Sequence, residues 1–534
     1  MFFFSQFSQL SEDILTASTI IHERRNSLAP INRLPLDVLC LIPTHLASPS
    51  DRLQVTFVCR HWRRTFLQYA VLWSKLYLTG VTDQLHMKTL LERAKGSPLD
   101  ITADYYMTPI PDDVTLVSPF ARQIRSLDLK HTFSANIQGL STAISGPLPL
   151  LHTLKIGSRG HLDTFDPPVV PTLPLFEGAA NLKNFVLNID DRPSLRQFTF
   201  PNLTTLDFST STEEFSISQL LHFLEASPAL RQIWMEITTG LFHKDVPSER
   251  VVVLSDVNTF CLQITNHGPS CEIETHISCP FAKHVELART LEWAENRVPE
   301  DAYPTSISWN TIARQYTKGT VDRVVLDMMD KGYSSDCSVT FRSPDGTVLK
   351  LCCTRCTSGE EFDMGVNWET RQPVVLSQAL RTIRDHPLLA SVKHLCIKGG
   401  CLSIDELELA TEGVGRLFES MGPLENLTLN GSDLRPYLDA FFDNPRFPEA
   451  IQPTSFPPIK ELVVVYPMML FHEEATYEAA IVELARSQDA RGMPLESVKF
   501  YTEAPLLLID ELAAFVGTVE YHDHSPINCT DFCV

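Results

Sequence analysis

The 534-residue sequence is short of basic side chains, of glycine and of long apolar runs. Its 44 Lys and Arg face 65 Asp and Glu, a formal charge of −21. That balance argues against non-specific nucleic-acid binding, which draws its affinity from cationic groups displacing phosphate counterions. Glycine numbers 22, about 4% against a usual value near 7%, so there are few places for a phosphate-cradling loop. The longest apolar run, Leu462 to Phe471, covers ten residues and contains Pro467. About 20 residues are needed to cross a bilayer, so no membrane association is expected. The signatures G-x-S-x-G, G-x-x-x-x-G-K-[ST] and H-E-x-x-H are missing, which leaves no residue to nominate for catalysis and no cofactor to expect.

What is present is a core-forming composition, 44% hydrophobic and 20% charged. The thirteen cysteines follow no secretory signal, since Met1 to Phe4 lacks a basic segment and runs into Glu12 and Asp13. An intracellular, reduced protein, cytoplasmic or nuclear, is the expectation. Residues 8–30 carry a helical seam of Leu10, Ile14, Ala17, Ile21 and Leu28, interrupted by Arg24. That spacing predicts an amphipathic helix packed on its own protein rather than a coiled coil. Ala29-Pro30 ends it, because a residue before proline is pushed out of helical geometry.

The next fifty residues read as short helices. Leu34-Pro35-Leu36-Asp37 places a proline and an acid where a first helical turn tolerates the one and favours the other. Leu39, Ile42 and Leu46 continue its apolar stripe, with Pro43 inside it as a point of kinking or shortening. Ser48-Pro49-Ser50-Asp51 opens a second helix through Leu53, Val55, Phe57, Val58, Cys59 and Trp62, and Leu72-Trp73 forms a third apolar cluster. A domain this small hides only about 60% of its surface, so this much apolar side chain implies a partner.

The ordered set Leu34-Pro35, Val58-Cys59-Arg60-His61-Trp62-Arg63 and Leu72-Trp73 resembles the F-box, here from Ile31 to about Leu78. The resemblance implies a docking module for a Skp-type adaptor and, through it, the cullin of a ubiquitin ligase. Carried over by position, Leu34, Pro35, Val38, Leu39, Ile42, Leu53, Val55, Val58, Cys59, Trp62 and Trp73 would form the adaptor interface or its support, with Trp62 as first anchor. The residue balance suits this. Residues 1–80 hold eight basic and five acidic side chains, +3, which leaves −24 to the remainder. A basic module would steer towards an acidic adaptor.

Beyond residue 80 one pattern recurs, apolar-x-x-apolar-x-apolar. Copies such as Ile124/Leu127/Leu129, Leu151/Leu154/Ile156, Leu203/Leu206/Phe208, Val257/Phe260/Leu262 and Leu424/Leu427/Leu429 run to Val516/Val519/Tyr521, and Leu99-Asp100-Ile101 is a degenerate copy. Starts between Ile124 and Ala282 lie 21 to 31 residues apart. Spacing and hexamer resemble leucine-rich repeats, whose strands cannot bury themselves alone and must stack. The expected fold class is therefore α/β: residues 1–30 an N-terminal helix, 31–79 an F-box, and 80–534 a leucine-rich-repeat solenoid, a parallel horseshoe with outer helices. Ser216 to Ala226 and Ile404 to Met421 are two such helices. A hairpin around Ser343-Pro344-Asp345-Gly346 is read as an insertion, about 335–376, projecting from one edge.

On the concave face the intervening strand residues include Asp128, Lys155, Asp207, Trp234, Glu236, Glu286, Asp327, Lys398, Thr428 and Lys499. Of these, Trp234, Glu236, Asp207, Glu286 and Asp327 are the candidates for contact with a protein substrate, since interface hot spots favour Trp. Cys353-x-x-Cys356 lacks a second pair, and Cys261, His267, Cys271, His276 and Cys279 match no standard spacing, as do His522-Asp523-His524 with Cys529 or Cys533, so no metal is expected. Together these features predict a substrate receptor of a Skp-cullin-F-box ligase that performs no reaction itself. The alternatives are an F-box scaffold that binds the adaptor without cullin, and a cryptic enzyme on the repeat domain. The repeat domain's acidity favours basic protein partners over nucleic acid.

Overall fold

Every one of the apolar hexamers becomes a β-strand. The computed structural model describes residues 2–46, 49–78, 84–104, 116–130, 144, 147–157, 179–189, 199–210, 216–239, 250–266, 273–292, 320–330, 334–356, 387–399, 417–418, 420–431, 457–465, 474–501 and 508–522. The chain divides into two units, Met1–Leu203 and Thr204–Val534.

The first unit opens with helices α1 (Phe2–Leu28), α2 (Leu36–Leu41), α3 (Pro49–Gln54) and α4 (Arg60–Gln68), joined by 3-10 turns. Then come β1 (Lys75–Leu78), α5 (Gln84–Ala94), β2 (Leu99–Asp104), β3 (Ile124–Lys130), β4 (Thr153–Gly157) and β5 (Asn184–Ile189). Each of these strands pairs in parallel with the next. The second unit holds β6 (Thr205–Thr210), α6 (Ile217–Glu225), β7 (Gln232–Thr239), β8 (Val252–Val253), β9 (Thr259–Asn266), β10 (Ile277–Ser278) and β11 (His284–Glu292). It continues with β12 (Arg323–Asp330), β13 (Ser334–Arg342), β14 (Val348–Cys356), β15 (His394–Gly399), β16 (Leu424–Gly431) and β17 (Ile459–Val465). Helix α7 (Glu474–Ala490), β18 (Leu495–Tyr501), α8 (Ile509–Leu512) and β19 (Val516–His522) complete it. The architecture is thus a helical amino-terminal region followed by a large, predominantly parallel sheet, α/β as the pattern implied.

Register explains why the pattern recurs. Side chains two apart share a strand face, and the pairing aligns those faces copy by copy. Leu206, Ile233, Phe260, Val285 and Leu349 stand in one row, and Phe208, Met235, Leu262, Leu287 and Leu351 in the next. All ten are buried. At about 1.5–3 kcal/mol for each large side chain removed from water, such rows dominate the stability of the sheet. The degenerate copy at Leu99 is a true member, since Leu99 and Ile101 are buried and β2 sits between β1 and β3.

The approach to several strands is also repeated. The first apolar residue of a copy closes a tight turn: Leu151, Leu182, Leu230, Ala282 and Val392 donate their N–H to the carbonyl three residues back at 3.0–3.3 Å. Two successive N–H groups then converge on one carbonyl of the preceding copy, Lys183 and Asn184 on His152, Asn258 and Thr259 on Arg231, Lys393 and His394 on Asp322. A turn and a shared acceptor satisfy the donors that precede each ladder.

Four expectations are corrected. Helix α1 forms, but among the described residues its seam faces solvent: Leu10, Ile14, Ile21 and Leu28 are 56–66% exposed. Its apolar residues include Leu15 and Ile20 off the seam, so no single face is sufficiently apolar to be pulled inward. The helix expected to run from Pro49 through Trp62 is broken into α3, a 3-10 turn at Val55–Phe57, and α4. The hairpin forms as expected, with Gly346 at φ 85° accepting the left-handed geometry that favours glycine. It does not project from an edge, however. Strand β14 pairs in parallel with β11, β13 is antiparallel to both β14 and β12, and β12 pairs in parallel with β15. Val339, Phe341, Leu349 and Leu351 extend the buried rows, so the hairpin fits because its alternation matches the ladder. Finally, the opposite face is not uniformly open. Val325, Cys396, Thr428 and Val463 align in one row and are all at most 5% exposed, so this stretch of the sheet is covered on both faces.

Of the expected outer helices, α6 starts at its Ser216 cap, whose Oγ accepts from Gln219 N. Residues 404–416 of the second lie outside the described residues, as do Thr357 to Pro373, His267, Cys271, Cys401 and residues 523–534.

Candidate functional site

The helical module is organised around Trp62. Ala29, extended as its following proline requires, leads into a 3-10 turn at Pro30–Arg33. Asn32 in that turn accepts a 2.5 Å hydrogen bond from the Trp62 indole N–H and donates to Asn26 O at 2.7 Å. The indole meets Phe66 edge-on, with ring centroids 5.4 Å apart. Phe66 O in turn accepts from the Trp73 indole N–H at 2.9 Å. Both indole donors are therefore satisfied inside the module, as buried tryptophans require.

The helix ends are set locally. Pro35 precedes α2, with Asp37 in its first turn, and Pro43 stops it at Leu41 by starting a 3-10 turn at Ile42–His45. Cys59 is the N-cap of α4, its Sγ accepting weakly from Trp62 N at 3.5 Å. Burial, with the Asp37 carboxylate adding to it, pushes the Cys40 thiol up, so that thiol is an inert part of the core. Trp73 belongs to two systems at once: it closes the module and opens the first strand copy, with the Arg93 guanidinium 5.0 Å from its ring centroid.

The expected interface residues separate into three groups. Leu39, Val55, Trp62 and Trp73 are buried, between 0% and 8% exposed, so Trp62 is the module's keystone and offers no free surface. Ile42, Leu53 and Cys59 are partly covered. Leu34, Pro35, Val38 and Val58 face solvent. Leu36, Leu41 and Phe57, outside the expected set, are exposed as well, at 61%, 54% and 64%. Leucine, valine and phenylalanine exposed together on so small a module are unusual for a chain with an ample core elsewhere, and such surfaces mark interaction sites. The signal that could have found them is burial capacity: α2 has only six residues and buries Leu39 and Cys40.

Residues 31–79 match the family model described as F-box-like. This segment is an F-box-like domain. No curated protein matches the chain.

The expected substrate residues lie on the strands of the second unit. Asp207, Trp234 and Glu236 are exposed there, and Glu286 is partly covered. Asp207 pairs with Trp234, and Trp234 with Cys261, so these side chains form a continuous row with Glu286 and Lys350. The Asp327 side chain lies outside the described residues, and Thr428 is buried rather than available. Further along, Lys499 bridges Glu461 at 2.5 Å, and Glu461 accepts from Asn426 at 2.8 Å. Cys353 and Cys356 lie on β14, their side chains outside the described residues. No helix among the described residues is long and apolar enough to cross a membrane.

Proposed function

We propose that the chain is a substrate receptor of a Skp-cullin-F-box ubiquitin ligase. The observation that carries this reading is the F-box-like segment with Leu34, Leu36, Val38, Leu41, Phe57 and Val58 held outward on it. F-box domains generally bind Skp-type adaptors, and short amphipathic helices dock through aliphatic and aromatic anchors of this kind. The strands would act as a leucine-rich-repeat solenoid, a reading supported by the turn and shared-carbonyl device repeated before several strands. Its half-exposed row from Asp207 to Glu286 would hold a protein substrate, with Trp234 as anchor. The receptor does no chemistry itself; it raises the local concentration of substrate at the ligase.

The test uses the full chain and a purified Skp-type adaptor. Replacing Leu36 and Val58 with glutamate should reduce co-purification at least 30-fold, the scale of two hot-spot side chains lost. Adaptor retained at the wild-type level by a folded double variant would overturn the interface. Recovery of adaptor without cullin would leave the adaptor contact standing and favour the non-ligase scaffold.

A further inference from the structure

Three potential metal ligands meet on the strand face of the second unit. Cys261 lies on β9, and its register partner on β11 is Glu286. His284, two residues before Glu286, points to the same side by the alternation of the strand. The Cys261 thiol, an imidazole nitrogen of His284 and a Glu286 oxygen all lie within 4.8 Å of one another. We propose that Cys261, His284 and Glu286 form a zinc-binding site.

The donor set suits that ion. A thiolate, an imidazole and a carboxylate together span the soft-to-hard range that zinc accepts and that calcium or magnesium does not. Zinc bonds of about 2.0–2.3 Å in a tetrahedron put neighbouring ligand atoms about 3.3–3.8 Å apart. His284 Nε2 and Glu286 Oε2 are already 3.7 Å apart, so only the longer separations must close, by side-chain rotation. The two carboxylate oxygens have divided roles. Oε2 faces His284, while Oε1 accepts from Lys350 Nζ at 2.7 Å. An outer partner of that sort orients a ligating carboxylate.

All three side chains are partly covered, which limits competition from water yet leaves a path for the ion. With three protein ligands, the fourth position would be open to water or to a group on a bound partner. Burial, with the Glu286 charge adding and the Lys350 charge opposing, raises the Cys261 thiol to about 11. The thiol is therefore held protonated until a cation arrives, and binding must release that proton. Cys261, His267, Cys271, His276 and Cys279 cluster along the chain. The register instead joins Cys261 to two residues more than twenty positions away.

Titration of the metal-stripped full chain with zinc alone, and with cobalt as an optical reporter, tests the site. Cobalt should give a thiolate charge-transfer band that is lost in Cys261→Ser and in His284→Ala. Each variant should bind one equivalent less zinc than the parent, or bind that equivalent at least 100-fold more weakly. Lys350→Met should keep the band and weaken binding about 10–100-fold, as loss of an outer partner does. A band and a stoichiometry unchanged in Cys261→Ser would overturn the proposal. Because a variant can misfold, the parent chain supplies a second measurement: zinc should slow alkylation of Cys261 read by peptide mass spectrometry, and an unaltered alkylation rate would overturn it equally.

Discussion

The helical module and the strand ladder treat apolar side chains in opposite ways. On the inner strands of the ladder the pattern positions are sealed: Leu206, Ile233, Phe260, Leu395, Leu427 and Val498 are all fully buried. In residues 31–79 a comparable supply of leucine, valine and phenylalanine is divided, with Leu39, Phe66 and Trp73 inside and Leu36, Phe57 and Val58 outside. The ladder can bury its inner rows because an inner strand receives a neighbour on both sides, so adding a copy adds core without adding edge. Three short helices have no such extension, and they leave Leu36, Phe57 and Val58 in water. The difference teaches where to look for stability and where to look for binding.

The largest effect should come from the ladder. Phe260→Ala removes a fully buried ring between Ile233 and Val285 and should cost about 3–5 kcal/mol of unfolding free energy in denaturant titration. Leu36→Glu with Val58→Glu should change the same measurement by about 0.5 kcal/mol or less, since both side chains already face water. A large loss in the second pair, or a negligible one in the first, would break the contrast.

Much of this organisation was legible in the sequence because it rests on local rules. Period-2 alternation located the strands, down to the copy at Leu99, since buried alternation has few other realisations. Leu34-Pro35 and the Val58 to Arg63 block located the module. What escaped was set by pairing that no local pattern encodes. The hairpin's place between β11 and β12 depends on which strands its two edges meet, and a projecting hairpin would carry the same residues. The same holds for the interface. Leu39 and Leu36 are equally apolar, and only the direction in which α2 is laid down separates the buried one from the exposed one. The burial of Trp62 was not legible either, because the Asn32 side chain that accepts its indole N–H lies thirty residues away.

A smaller effect separates the two regions electrostatically. Burial alone would raise the Glu461 carboxyl, but hydrogen bonds from Lys499, Asn426 and Ser497 outweigh it and hold the group below its ordinary value. As pH falls, the unfolded chain therefore takes up this proton before the folded one. The contribution is fully present above the ordinary carboxylate value, about 4.3, and is lost as pH drops through the lower folded value. Lys499→Met should make the acid limb of the stability profile shallower. An acid limb as steep as the parent's would show that the bridge adds nothing to the ladder. The Arg60 to Glu23 bridge between α4 and α1 is exposed at both ends, and exposed bridges contribute little to stability.

The smallest effect belongs to α1, and it decides whether the helix serves the fold at all. Ile14 and Ile21 are 61% and 66% exposed, so Ile14→Asp with Ile21→Asp removes almost no buried contact. Helix propensity falls slightly with aspartate, and the change in global stability should stay within about 0.5 kcal/mol by thermal or denaturant unfolding. A loss of several kcal/mol would mean that this helix is part of a core after all. It would also place α1 with the ladder, whose apolar residues work inward, rather than with the module, whose apolar residues remain at the surface.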